Sequence, residues 1–320
     1  MARTRIIYQS ESVQVDSVTA IGVQSCSYGL DVTREDVLQF GDLGAVDRII
    51  LEAPVANMEV SMYVNGLAGS KLDEIVRKGV SGEAITCLVA LGAEGTDYDG
   101  VGVSSVSVVS GSLTSLSAEA SVGAIPTLTL GFEGTDLAYG TTSAGVPTTD
   151  IDVATQSGII VKMDQVSGSF TGHYIHPQSC SVSFDLGVEG LQELSYETAA
   201  GLATAGNKFQ YARVPSYPAS ASMELEAFAV DKGMTMSLAG LEQKASDGTT
   251  GDANEGGKIN VGVDMGGTTF NLVHATLDSV SFSSSIGDTA ATCNATFGVS
   301  IGGPTSDSRL VISGSTGPSS

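Results

Sequence analysis

The tetrapeptide Gln24-Ser25-Cys26-Ser27 returns as Gln178-Ser179-Cys180-Ser181, and further matches follow it in order. At the same spacing of 154 residues, Leu30-Asp31-Val32 meets Phe184-Asp185-Leu186, and Glu35 meets Glu189. The spacing then widens to 165, where Gly41, Arg48 and Met58-Glu59-Val60 meet Gly206, Arg213 and Met223-Glu224-Leu225. Leu72, Ile75 and Lys78 meet Leu238, Leu241 and Lys244 at 166, and Ile85 meets Ile259 at 174. Leu113 and Ser121-Val122-Gly123 meet Leu277 and Ser285-Ile286-Gly287 at 164. A colinear series whose spacing shifts only between segments reads as one unit written twice, and that constrains the fold more than any single motif.

Each copy reads as several strands and one short helix. Segments 23–32, 47–64, 85–91, 103–122 and 126–133 alternate or run apolar, are rich in β-branched residues and are punctuated by Gly. Their counterparts are 177–186, 211–230, 259–265, 270–286 and 290–301. The helix spans Ser70–Lys78, with Ser70 as N-cap, Asp73 and Glu74 in the first turn, Arg77-Lys78 in the last, and Gly79 as the left-handed stop. A second helix, Ser237–Lys244, is weakened by Gly240. The expected fold is therefore mainly β: two tandem β-sandwiches or partly open barrels, each with one short helix. The expected boundaries are a first domain over 1–134, a Gly/Thr/Ser/Pro-rich linker over 135–158, a second domain over 159–302 and a flexible tail over 303–320.

Charge narrows the function. The 320 residues carry 14 Lys+Arg against 36 Asp+Glu, a net charge of −22. Such a surface repels nucleic acid and anionic membranes. With 42% hydrophobic residues the chain can still bury a core, unlike a disordered acidic chain. The Met1–Tyr8 start has basic residues but no apolar run behind them, so no secretory signal is expected, and no apolar stretch is long enough to span a bilayer. Cys26, Cys87, Cys180 and Cys293 are widely spaced without a CxxC pair, and read as buried thiols. Pairing of Cys26 with Cys87 and of Cys180 with Cys293 is the lesser alternative.

No catalytic constellation is legible. His173 and His176 have no third ligand nearby and read as loop residues; His274 is isolated. Asp97-Tyr98-Asp99-Gly100 lacks the further oxygen ligands of a calcium loop and reads as a turn, and the acidic stretch 247–255 does not make a supported site either. Nucleophile-elbow, phosphate-loop and dinucleotide fingerprints are absent. The expectation is a protein with no enzymatic activity, cofactor or metal. The most informative acids lie on the repeated strand. In Met58–Val64 alternation puts Met58, Val60 and Met62 on one face and Glu59 on the other; in Met223–Phe228 it separates Met223, Leu225 and Ala227 from Glu224 and Glu226. This acidic face is either an ordinary solvated sheet surface or the wall of an aqueous channel.

These features together resemble the tail tube proteins of long-tailed bacteriophages: a Gly/Ser/Val-rich β unit, a helix (Ser70–Lys78) after a long strand pair (Asp47–Val64), and the Thr33–Gly41 loop leading into that pair. The resemblance covers about residues 5–133 and 160–302. It implies stacked rings whose inner sheets join into a barrel, with three duplicated chains standing in for six single ones. It also implies a virion tail location, assembly in the host cytoplasm, and tape measure, terminator and tip proteins as partners. DNA would pass the lumen without specific binding, with Glu59, Glu224 and Glu226 on the lumen wall. A surface adhesion or S-layer-like module is the alternative; a hydrolase or lyase on a β scaffold is the third reading.

Overall fold

A computed structural model describes residues 11–41, 44–50, 53–92, 97–147, 159–165, 173–174, 177–191, 212–228, 259–284, 291–302 and 309–314. The protein is mainly β, with a single α-helix among the described residues. The first half begins with β1 (Glu11–Val15), β2 (Val18–Thr19) and β3 (Val23–Asp31). A projecting pair follows, β4 (Arg34–Leu38) and β5 (Ala45–Ile50), then β6 (Val55–Tyr63), α1 (Gly69–Ser81), β7 (Ile85–Leu91), β8 (Ser104–Ser121), β9 (Thr127–Gly134) and β10 (Asp136–Gly140). The second half holds β11 (Ile159–Gln165), β12 (His173–Tyr174), β13 (Pro177–Leu191), β14 (Ala212–Phe228), β15 (Ile259–Met265), β16 (Thr268–Ser283), β17 (Thr292–Ile301) and β18 (Leu310–Ser313).

All described strands except β4 and β5 join in one antiparallel network, and the two halves meet edge to edge where β8 pairs with β13. Its backbone is a run of eight strands in the order β3-β6-β9-β8-β13-β14-β17-β16. The first four and the last four follow the same plan. Cys26 lies opposite Val60 and Cys180 opposite Leu225; Met58 opposite Phe132 and Met223 opposite Phe297. Phe132 is opposite Leu113 and Phe297 opposite Leu277, each pair followed by a one-residue register shift. The start of β8 leaves this run to pair with β7 and β10, and the start of β16 leaves it to pair with β15 and β18.

Alternation explains the core. Along β6 and β9 every second residue is buried, and the phenylalanines Phe132, Phe184, Phe270 and Phe297 are among the largest fully buried side chains. One contiguous buried cluster takes residues from both halves. Each buried side chain of this size removes roughly 1.5–3 kcal/mol worth of apolar surface from water.

The helix differs from the sequence expectation at both ends. It begins at Gly69, capped by the backbone of Ala68 without a side-chain bond, and runs through Gly79 to a left-handed Gly82 (φ 75°). Gly79 is interior because it faces the sheet: a Cβ there would sit 3.1 Å from Leu113 Cβ, so the missing side chain lets the helix approach. Asp73, placed by the sequence in the first turn, instead accepts a hydrogen bond from the Ile312 backbone N–H (3.1 Å), tying α1 to β18. Asp16 accepts from Lys71 Nζ (2.6 Å) and Lys78 Nζ (2.5 Å), fixing the polar side of α1 to the β1–β2 turn. The expected second helix, Ser237–Lys244, lies outside the described residues, as do 190–206 in part and 245–258 in full.

The expected linker and tail also contain strands. β10 pairs with β8, Ala144 is buried against Tyr98, and the Gly145 carbonyl accepts from Ser12 (2.7 Å). β18 pairs with β16 and buries Leu310 and Ile312. Strands of four or five residues carry too little alternation to be read, and only the pairing partner reveals them.

Candidate functional site

The outer face of the eight-strand run can be read row by row across the ladder. One row is Tyr63, Thr127, Glu119, Ser181, Glu224, Thr296 and Ser279. The next is Ser61, Thr129, Ser117, Ser183, Ser222, Gly298 and Thr276. A third is Ser27, Glu59, Gly131, Ser115, Asp185, Ser220 and Ser300. These rows contain hydroxyls, glycine and acids, and no Lys or Arg.

Glu59 and Glu224 lie in these rows, and Glu226, opposite Ser179 and Asn294, lies two residues along β14 on the same side of the sheet. Glu59 and Glu224 are exposed; Glu226 is half-buried and accepts a hydrogen bond from Ser179 Oγ (3.0 Å). The structure adds Glu119 on β8, which lies opposite Ser181 on one side and Thr127 on the other. The repeat does not mark it, because its counterpart in the second half is Ser283. Alternation within β8 alone, with Ala118 and Ala120 buried on either side of it, does mark it as outward. Glu119, Glu224 and Glu226 border a shallow concavity of about 600 Å³ centred on the β8–β13–β14 junction.

Among the described residues the run ends in two open edges: strand β3 pairs only with β6, and the last half of β16 pairs only with β17. Both edges carry exposed large apolar side chains: Tyr28 (41%) and Leu30 (42%) on β3, Phe282 (47%) on β16. Unpaired backbone beside exposed apolar residues is the usual mark of a strand that receives a partner.

Other candidates resolve into structure. The Cys26, Cys87, Cys180 and Cys293 thiols are unpaired, against the alternative of two disulfides. Burial pushes Cys26 and Cys180 up to about 12, Cys26 with help from the Glu11 carboxylate, so both stay protonated and inert. Asp99 accepts from the Val101 backbone N–H (3.0 Å), a local turn as expected, and the intervening Tyr98 is buried with its hydroxyl donating to the Ala144 carbonyl (3.1 Å). His173 opens β12; His176 lies outside the described residues. Among the described residues no group of three His, Cys, Asp or Glu is placed to hold a metal, and no helix is long and apolar enough to cross a membrane. No family model and no curated protein sequence matches the chain.

Proposed function

We propose that the chain is a structural virion protein, the tail tube subunit of a long-tailed bacteriophage, and that three copies close into a ring with the acidic sheet face lining its bore. The observation that carries this reading is the strand order. The four-strand unit β3-β6-β9-β8 is followed directly by its repeat, β13-β14-β17-β16, joined edge to edge through β8 and β13. A repeating sheet whose first and last strands each keep one edge unpaired among the described residues is open at each end to the contact it already makes in its middle. Adding copies head to tail uses that contact again, and closure into a ring removes every edge.

Dimensions favour three copies. Eight strands per chain give twenty-four in a trimer. At about 4.8 Å per strand the girth is roughly 115 Å, or about 37 Å across between backbones, and more when the strands tilt. Side chains narrow this by roughly 10 Å and still admit duplex DNA about 20 Å across. Two copies would leave about 24 Å between backbones, too little once side chains are counted.

The bore chemistry fits passage without binding. Hydroxyl rows keep the wall hydrated, and the glutamates repel phosphate within about 8 Å at physiological salt. With no Lys or Arg in the rows there is nothing to release counterions and hold the duplex.

Electron microscopy of the purified protein, with its mass in solution, tests the reading. Hollow rings or tubes of three chains per layer are expected. A persistent, well-folded monomer at high concentration would overturn it, and would favour the adhesion-module alternative.

A further inference from the structure

We propose that the β4–β5 arm of one chain docks on the β16–β17 end of the next, through an ion pair between Arg48 and Asp278 of the neighbouring copy. This rests on the ring reading above and assigns a partner to a surface that none of the described residues covers.

The template lies inside the molecule. β13 runs beside β8 as far as Asp185, opposite Ser115, and then continues with β14 as a two-stranded extension, Gly187–Leu191 against Ala212–Ser216. This extension lies on the first half. The Arg213 guanidinium, 4% exposed, pairs with the Glu133 carboxylate on β9. Tyr217 donates its hydroxyl to the Val80 carbonyl at the end of α1, and Pro215 packs at Gly82, 3.0 Å from where a Cβ would stand.

The β4–β5 arm is the matching extension of β3 and β6. Its register is the same: Arg34, Glu35 and Asp36 lie opposite Ile50, Ile49 and Arg48, as Val188, Glu189 and Gly190 lie opposite Pro215, Val214 and Arg213. Among the described residues, however, the arm packs only against itself, β4 on β5. All of β4 is exposed, and so are Leu38 (76%), Phe40 (107%) and Val46 (53%). Among the described residues the Arg48 guanidinium makes one ion pair, a solvent-exposed one with Asp36 (3.1 Å), an interaction that releases it readily. In the second half the cross-strand acid is replaced by Gly190, and Arg213 reaches across to Glu133 instead.

The receiving surface carries the complementary change. The position of Glu133, opposite Ser112, is taken in the second half by Gly298, opposite Thr276. A Cβ built on Gly298 would collide with Oδ2 of Asp278. The acid has thus moved from β9's equivalent to the adjoining strand, while its carboxylate still occupies the space beside that backbone position. Asp278 sits in the register shift of β16 and is exposed; Thr276 Oγ1 donates to it (3.1 Å). Among the described residues no cation forms an ion pair with it, although Arg309 lines the same open groove with Ser220, Ser222 and His274. The same transposition sets the strand register between chains: Tyr28 opposite Phe282 and Leu30 opposite Val280, which buries the exposed apolar side chains of both edges against each other.

The test is charge reversal in the full chain. Arg48→Asp and Asp278→Arg are each expected to raise the concentration needed for assembly at least tenfold, and the double variant to recover most of that loss. Mixing an Arg48→Cys chain with an Asp278→Cys chain under mild oxidation is expected to give a covalent dimer. Single reversals without effect, a double variant no better than the singles, or absence of the crosslink in rings that otherwise form would overturn the arm contact and leave the ring standing. Wild-type protein that forms no ring overturns the reading beneath both. Circular dichroism of the unassembled variants separates loss of assembly from loss of fold.

Discussion

Ser110 and His274, 164 residues apart, occupy the same kink of β8 and β16, each in the left-handed region at φ 50° and φ 59°. At these points β8 and β16 leave the eight-strand run, β8 to pair with β7 and β10 and β16 to pair with β15 and β18. The next residue in each case, Gly111 and Ala275, is buried and lies opposite Ile85 and Ile259. A left-handed residue turns the strand so that one chain segment serves two layers.

The kink yields a stability prediction. A β-branched residue is poorly tolerated at positive φ, whereas glycine is at ease there. Ser110→Val is expected to destabilise the protein by about 1–3 kcal/mol, and Ser110→Gly to be within about 1 kcal/mol of wild type. Denaturant midpoints of the two variants check this; equal midpoints would show that the turn carries no strain.

A second prediction concerns the buried pair behind the internal junction. Glu133→Gln leaves the Arg213 guanidinium, 4% exposed, without its counter-charge. Breaking such a pair from one side is expected to cost about 3–5 kcal/mol. Replacing both, with Arg213→Met alongside Glu133→Gln, is expected to cost less than the single change, because no uncompensated charge remains. A denaturant series on the two variants and wild type reads the ordering.

The anchoring of α1 is pH-dependent at both extremes. Burial raises the Asp16 carboxyl, but the hydrogen bonds and charges of Lys71 and Lys78 outweigh it and hold the group below its ordinary value. A depressed carboxylate contributes stability at pH values above the unfolded value near 4, and loses it as pH falls through the folded one. Lys71 is pushed down by burial and up more strongly by Asp16 and Glu74; Lys78 is raised by hydrogen bonds to the same two acids. Their contribution is complete below the unfolded lysine value near 10.4 and is lost as pH rises beyond it. Asp16→Asn is the fitting control, since Asp16 has φ 47° and asparagine accepts that conformation. Its melting temperature is expected to lie below wild type near pH 7 and to converge with it at acid pH; parallel curves would sink the assignment.

The sequence disclosed what depends on repetition and alternation, and little of what depends on partners. Ile85–Leu91 and Ile259–Met265 are strands at the limits expected, and Met58–Tyr63 and Met223–Phe228 show the faces expected. The helix stop was misplaced because Gly79 and Gly82 are both plausible ends by local chemistry; packing against Leu113 makes the first interior. Asp136–Gly140 and Leu310–Ser313 were read as linker and tail because their pairing lies with distant strands. Alternation alone turns Glu59, Glu224 and Glu226 outward, and does the same for Glu119, which the repeat leaves unmarked because Ser283 stands at its equivalent position. The edge contact itself is a property of strand order, which no local pattern encodes.

The acidic face can be tested by inverting it. Four outward glutamates, Glu59, Glu119, Glu224 and Glu226, lie among hydroxyl rows on one sheet face. In a ring of three chains their replacement by lysine would put about a dozen cations around the bore. Each phosphate they neutralise releases condensed counterions and steepens the salt dependence of log Kobs by about 0.9. Wild-type tubes are expected to show no retention of duplex DNA near physiological salt. Tubes of the Glu59→Lys, Glu119→Lys, Glu224→Lys, Glu226→Lys variant are expected to retain it, with binding that falls steeply between about 50 and 200 mM salt. A duplex too short to protrude separates wall binding from binding to the outer surface, because bound DNA inside the bore is protected from nuclease. Retention by wild-type tubes, or lysine tubes whose bound DNA is fully digested, would place the acidic face somewhere other than the bore.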